Sequence, residues 1–378
     1  MNRTALPRLA AARRKGRWRL MLMLMLPAML CLLAGLDAAL ILLDLPAPMM
    51  FSSWGQAHGL LLVFGFAGSL IALERAVALG KLAGYAAPLC LSLGGLAQLF
   101  TVPQWIPAGL FIAGLATLLG VYIPLWRRQR AHAVMIQMIG ACAGLGAAIL
   151  WAGAVRISLL LPWLAVFLIA TIAGERVELA RIQISARAEH AAVLLNLGLL
   201  LAAAASTLFV QIGSVLFGCF LLGLVIWLVR HDVARRTINS TGAPRFMAAC
   251  LLAGYFWLLV AAVVWALGYP ASIARYDTVI HAVFLGFAIS MIMAHASTIL
   301  PAVLAINLPY HRAMWIPAAM LHLGMVLRIW LGDGLGVQIL WKAGGASNVA
   351  ALLLFAAIAV YSALQAAGQA KKEAAHHA

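Results

Sequence analysis

Charge is what this sequence has least of. Charged residues make up 10% of its 378 residues, while 65% are apolar. Soluble domains carry roughly a quarter charged residues, so an ordinary soluble protein is excluded and a polytopic membrane protein is indicated. The formal net charge of +16 would suggest a nucleic-acid partner in a soluble chain. Here the basic residues stand between apolar runs, so they report topology, and no nucleic-acid partner is expected. Cysteine chemistry is missing as well. Cys31, Cys90, Cys142, Cys219 and Cys250 fall singly inside apolar runs, with no CxxC pair and no disulfide framework, and read as small packing residues. There is no Gly-rich phosphate loop, no HExxH and no Cys/His zinc spacing. No pair of carboxylates within one span suggests a sodium or proton carrier. The longest hydrophilic stretches, 175–190 and 230–246, are too short for a soluble domain.

What is present is a series of apolar windows about 20 residues long, the length a bilayer requires. They predict an all-α polytopic membrane protein of about twelve transmembrane helices: 20–44, 56–79, 84–102, 105–126, 133–154, 157–174, 191–211, 213–229, 247–268, 277–303, 313–332 and 347–367. Residues 1–19 form a basic N-terminus, 20–367 one helical membrane domain, and 368–378 a tail (KKEAAHHA at its end) expected to be disordered. The first apolar run continues past Asp37 without a clear small-residue cleavage site, so it reads as a first membrane helix and not a cleaved signal. Even-numbered gaps carry Lys81, Arg127, Arg128, Arg130, Arg181, Arg187, Arg230, Arg235, Arg236, Arg245 and Arg312. Odd-numbered gaps carry little beyond Arg156, Arg275 and Lys342. With Arg13, Arg14 and Lys15 at one terminus and Lys371 and Lys372 at the other, this asymmetry predicts both termini in the cytoplasm.

A short phrase recurs. Span 2 reads GFAGSLIALERAV and span 10 reads GFAISMIMAHAS; span 6 ends IATIAGERVEL. The spacing suggests three units of four helices, a three-fold pseudo-repeat. Spans 2 and 10 also carry histidine near their outer ends, His58 and His281. Two neutral imidazoles at one depth on facing helices suit the two axial positions of a haem iron. Gly59, Gly65, Gly68, Gly286 and Ala288 would give the room. The competing reading is that each histidine bonds a neighbouring helix and the small residues serve packing. His295 lies fourteen residues beyond His281, some 21 Å deeper at about 1.5 Å per residue, so one iron cannot take both. It falls level with His322 of span 11. That pair reads either as a second polar or metal site or as two satisfied interhelical hydrogen bonds.

Charges inside spans are few and need partners. Asp37 and Arg328 pair with each other in one reading. In another, Arg328, with Arg275 or Arg156, meets haem propionates through charge-assisted bonds, and in a third it reaches for the outer surface. Glu74–Arg75 and Glu175–Arg176 read as ion pairs fixing inner helix ends.

On the segments QAHGLLLVFGF and IHAVFLGFAISMIM the chain resembles the NnrS family, polytopic haem- and copper-containing proteins of bacterial nitric oxide responses. More distantly it is similar to subunit I of the haem-copper oxidases, in which a low-spin haem lies between histidines of helices 2 and 10. The resemblance implies His58 and His281 as haem ligands, with copper in question only at His295 and His322. Gln56 stands where NnrS-like sequences have the first histidine of a His-x-His, and STILPAVL replaces the family's Gly-His-Thr-Gly stretch. Span 6 lacks histidine and span 7 lacks a His-His pair, so the oxidase copper centre is not expected. The implied function is a bacterial inner-membrane haem protein in electron transfer or nitric oxide response, partnered by lipid and by a diatomic gas ligand or a redox partner. The alternatives are a transporter, with helix breaks at Gly94–Gly95 or Pro162, and a cofactor-free assembly factor for a respiratory complex.

Overall fold

A computed structural model of the chain describes residues 5–49, 54–181, 183–304 and 307–376. The described residues are mainly helical and form no strand. Twelve principal helices follow one another: α1 (Ala5–Leu42), α2 (Trp54–Leu79), α3 (Leu82–Ala97), α4 (Trp105–Gln129), α5 (His132–Ala152), α6 (Ile157–Ala180), α7 (Ala186–Leu208), α8 (Val210–His231), α9 (Ala243–Ala266), α10 (273–304), α11 (Arg312–Asp333) and α12 (Gln338–His376). Among the described residues, eleven of these contain a stretch long and apolar enough to cross a membrane, and α3 is a shorter apolar helix. Backbone N–H and C=O groups find no partner in lipid, so each span closes its own hydrogen bonds. This is a polytopic, all-α membrane protein.

Helix boundaries depart from the apolar windows where local chemistry overrides hydropathy. α3 ends at Ala97 and not near 102. Residues 98–103 make the turn into α4, and Pro103 pushes the residue before it towards extended backbone. α6 continues to Ala180, past the expected 174, because Arg176 is buried inside the bundle. α12 runs through His376, so most of the tail expected to be disordered is helical. Its Ala, Gln, Lys and Glu content favours helix. Residues 377–378 lie outside the described residues. Gly94–Gly95 and Pro162 sit within unbroken helices, so neither provides the break a transporter reading expects.

Small residues let the helices approach. A Cβ on Gly65 of α2 would lie 2.8 Å from Cys31 Sγ of α1 and 3.3 Å from the Cα of Gly95 of α3. That leaves no room for a side chain and marks a close crossing of the kind small residues permit in membranes. Cys31 and Cys250 pack in the core, whereas Cys142 and Cys219 are exposed, and all five cysteines are free. α6 is the most enclosed span, with nearly every residue from Leu160 to Gly174 buried.

Among the described residues, three helices contain π-helical turns: Leu61–Gly68 in α2, His281–Ile289 in α10 and Leu327–Asp333 in α11. The phrase shared by α2 and α10 thus takes the same backbone form twice, each time ending at a buried serine, Ser69 or Ser290. α6 has no such turn. π-Helical turns are rare and concentrate at functional sites. The C-terminal halves of α2 and α10 pack together, whereas their N-terminal halves scarcely touch among the described residues.

Candidate functional site

His58 and His281 lie in the N-terminal halves of α2 and α10. His58 lies close enough to His281, Arg328 and Asp277 to feel their charges, so the fold brings together residues of α2, α10 and α11. His58 Nδ1 is 2.8 Å from the carbonyl oxygen of Gly35 on α1. A carbonyl only accepts, so Nδ1 carries the proton and the neutral ring keeps a lone pair on Nε2. His281 repeats the pattern. Its Nδ1 lies 2.9 Å from the Asp277 carbonyl oxygen and 3.3 Å from Asp277 Oδ1. Neither Nε2 forms a hydrogen bond among the described residues. This is the arrangement of metal-ligating histidines, whose second nitrogen donates to a carbonyl or carboxylate that fixes ring and tautomer.

Asp277 is itself fixed. Arg328 donates to it from Nε and Nη2, each at 2.7 Å, a planar two-bond fit. The guanidinium stacks on Trp341 of α12, 4.5 Å from the ring centre. Arg328 therefore pairs with Asp277 and not with Asp37, and only its Nη1 remains for another anion. Asp37 instead accepts from the backbone N–H of Met49 at 3.1 Å, and its buried Oδ2 has no partner. Arg275 lies in the first turn of α10 with an exposed side chain. Asp333, at the end of α11, stands within reach of Asp277 and Arg328, and its buried Oδ2 has no hydrogen-bond partner.

The deeper histidines go elsewhere, and not to each other. His295 Nδ1 donates to the Met291 carbonyl oxygen at 2.8 Å, and its Nε2 accepts from Arg176 Nη1 at 2.8 Å. Arg176 also donates to Asp232 from Nε at 2.7 Å and Nη2 at 3.0 Å. Tyr255 donates its hydroxyl to Asp232 at 2.5 Å, and the Ala234 N–H does so at 2.7 Å. Arg176 thus pairs with Asp232, across the bundle, and not with its neighbour Glu175. Glu74 and Arg75 do pair with each other. His322 Nδ1 accepts from Trp257 Nε1 at 3.0 Å, which leaves the proton on Nε2, 3.4 Å from Ser290 Oγ. Neither His295 nor His322 keeps a free lone pair for a metal. Among the described residues, no group of three or more His, Cys, Asp or Glu side chains is placed to hold a metal ion.

The small residues are mostly filled. A Cβ on Gly68 would meet Phe167 at 3.3 Å, and one on Gly286 would meet Trp257 at 2.5 Å, so these glycines serve packing. Gly59, next to His58, has nothing within 4 Å of that position. Asp277, Asp333, Asp232 and Tyr255 escaped the sequence reading. Asp277 had a signal, because Asp-x-x-x-His puts carboxylate and imidazole on one helix face. Asp232 had none, since its side-chain partners, Arg176 and Tyr255, come from two other helices, α6 and α9.

One family matches, described as a domain of unknown function, DUF8744, over residues 19–364. No curated protein and no solved structure matches the chain.

Proposed function

The chain belongs to the DUF8744 family, and from that premise we propose that it is a haem-binding protein of the bacterial inner membrane, with both termini in the cytoplasm and an electron-transfer role. One observation carries this reading. Two imidazoles on separate helices lie within electrostatic reach of each other, each with Nδ1 bonded and Nε2 without a hydrogen bond among the described residues. The residues fit the group: two neutral nitrogen ligands are present, and π-helical turns shape all three contributing helices. When bound, haem supplies a one-electron carrier.

The protein's part is to hold and orient. Gly35 fixes the tautomer of His58. Asp277 does so for His281, and Arg328 holds Asp277 in place. The same geometry ranks the two roles implied by the resemblance. His58 and His281 would together hold the group and leave no protein-free ligand place for a diatomic gas, which favours electron transfer to a redox partner over nitric oxide binding. Copper is not carried forward, because the nitrogens of His295 and His322 are engaged.

Absorption spectra of the purified protein, expressed with haem available, test the proposal. A Soret band of low-spin, six-coordinate haem is expected. It should shift or vanish in His58→Ala and in His281→Ala. A pure, folded wild-type preparation without a Soret band overturns it.

A further inference from the structure

A second pair of imidazoles comes together far from His58. Trp54 at the start of α2 bonds Leu99 beyond the end of α3, and Gln104 before α4 bonds Trp151 at the end of α5. α5 therefore begins at the other end of the bundle, where α2 and α4 finish, and α7 begins there too. His132 is the first residue of α5, and His190 is the fifth of α7. The two helices pack together, and the two rings meet edge to face with centroids 4.4 Å apart. The His132 side chain is 28% exposed and His190 is exposed, so water reaches the pair.

Each ring has one nitrogen anchored. His132 Nδ1 lies 2.7 Å from Glu189 Oε2, and His190 Nδ1 lies 2.6 Å from the Ala186 carbonyl oxygen. A carboxylate and a carbonyl only accept, so in the neutral rings both Nδ1 atoms carry the proton and both Nε2 atoms keep a lone pair. Neither Nε2 forms a hydrogen bond among the described residues. Metal-ligating histidines are oriented in this way, through a carboxylate or carbonyl on the second nitrogen. A simple tie between α5 and α7 would need only His132 and Glu189. It does not use His190, whose own hydrogen bond stays within α7.

We propose that His132 and His190 bind one divalent transition-metal ion, such as Zn2+, through their Nε2 atoms, with Glu189 orienting His132 and water filling the other positions. Two nitrogens that share a metal lie up to about 4 Å apart, given bonds of about 2 Å. Ring centroids 4.4 Å apart are compatible with that span. Imidazole suits Zn2+, Cu2+ and Ni2+, whereas Mg2+ and Ca2+ take oxygen ligands. The Glu189 carboxylate offsets part of the ion's charge. Structural zinc sites are closed by four protein ligands. Two protein ligands leave this one open and exchangeable, so its occupancy follows the free metal. The bound ion ties the start of α5 to α7. The site is independent of His58 and His281.

Two measurements on the full-length protein in detergent test this: calorimetric titration with Zn2+, and pulsed electron paramagnetic resonance after one equivalent of Cu2+. Both use a background carrying His376→Ala and His377→Ala, which removes the adjacent pair near the C-terminus. One equivalent of Zn2+ should bind, and the Cu2+ spectrum should report two imidazole nitrogens. His132→Ala and His190→Ala should each weaken Zn2+ binding by about 10-fold or more, and Glu189→Ala by about 10- to 100-fold. No Zn2+ binding, binding unchanged in both histidine variants, or a single imidazole in the Cu2+ spectrum overturns the proposal. Where a histidine variant does not fold, the imidazole count of the background protein decides alone.

Discussion

His281 and His295 sit on one helix, fourteen residues apart, and their surroundings differ in kind. His281 stands in a π-helical turn with one nitrogen fixed by Asp277 and the other free. His295 stands in regular α-helix with both nitrogens bonded, inside a network whose members Arg176, Asp232 and Tyr255 all have partners. A saturated buried network holds helices in register. A fixed imidazole with a spare lone pair is prepared for something else. Residue type does not distinguish these cases; the count of satisfied atoms does.

The sharpest test breaks the saturated side. Asp232→Ala leaves the buried Arg176 guanidinium and the Tyr255 hydroxyl without their acceptor. Removing one partner of a buried pair costs roughly 3–5 kcal/mol. Unfolding in detergent should show a loss of this order, while the Soret band of the surviving folded protein stays in place. A change in that band would mean that the two ends are coupled.

Asp277→Asn attacks the other side. It removes the charge that orients His281 and holds Arg328. Outer-sphere partners of this sort are typically worth 10- to 100-fold in cofactor affinity. Haem retention, followed as dissociation into a haem-scavenging protein, should fall by about that factor. Unchanged retention would reduce Asp277 to a structural role.

His295→Gln is the gentler probe. The Gln carbonyl can still accept from Arg176, so stability should change by about 1 kcal/mol or less. The absorption spectrum should not change at all, in contrast to His281→Ala. Spectral loss in His295→Gln would erase the distinction between the two histidines.

The smallest effect concerns acid. Asp232 lies just beyond the end of α8. Burial alone would raise its carboxyl pKa, but the bonds and charge of Arg176, with Tyr255 and the Ala234 N–H, hold it below the ordinary 3.8. A carboxylate with a depressed folded pKa contributes stability that is complete above its unfolded pKa and is lost as pH falls through the folded value. Asp232→Asn should therefore flatten the acid limb of the stability curve below about pH 4. A curve unchanged in shape would show that the pair contributes nothing to acid stability.

Hydropathy alone located the helices, because a bilayer imposes both length and apolarity on any segment that crosses it. It erred at α3, which ends at Ala97, and at α6, which runs on to Ala180 with Arg176 buried in the bundle. The shared GFA phrase marked α2 and α10 as related, but not that both wind as π-helix there. Spacing along α10 separated His281 from His295 by depth. It could not reveal that His295 belongs to Arg176 or His322 to Trp257, since those partners lie 119 and 65 residues away in sequence. Arg328 showed the same limit: one acidic partner in its own half of the membrane was visible in Asp37, yet packing of α11 against α10 delivered Asp277. Composition and apolar patterning determined the class, the span map and the depth of each polar residue, because these depend on the solvent around the chain. Which nitrogen is used and which left free was decided only when the helices packed, because hydrogen-bond satisfaction is a property of neighbours in space.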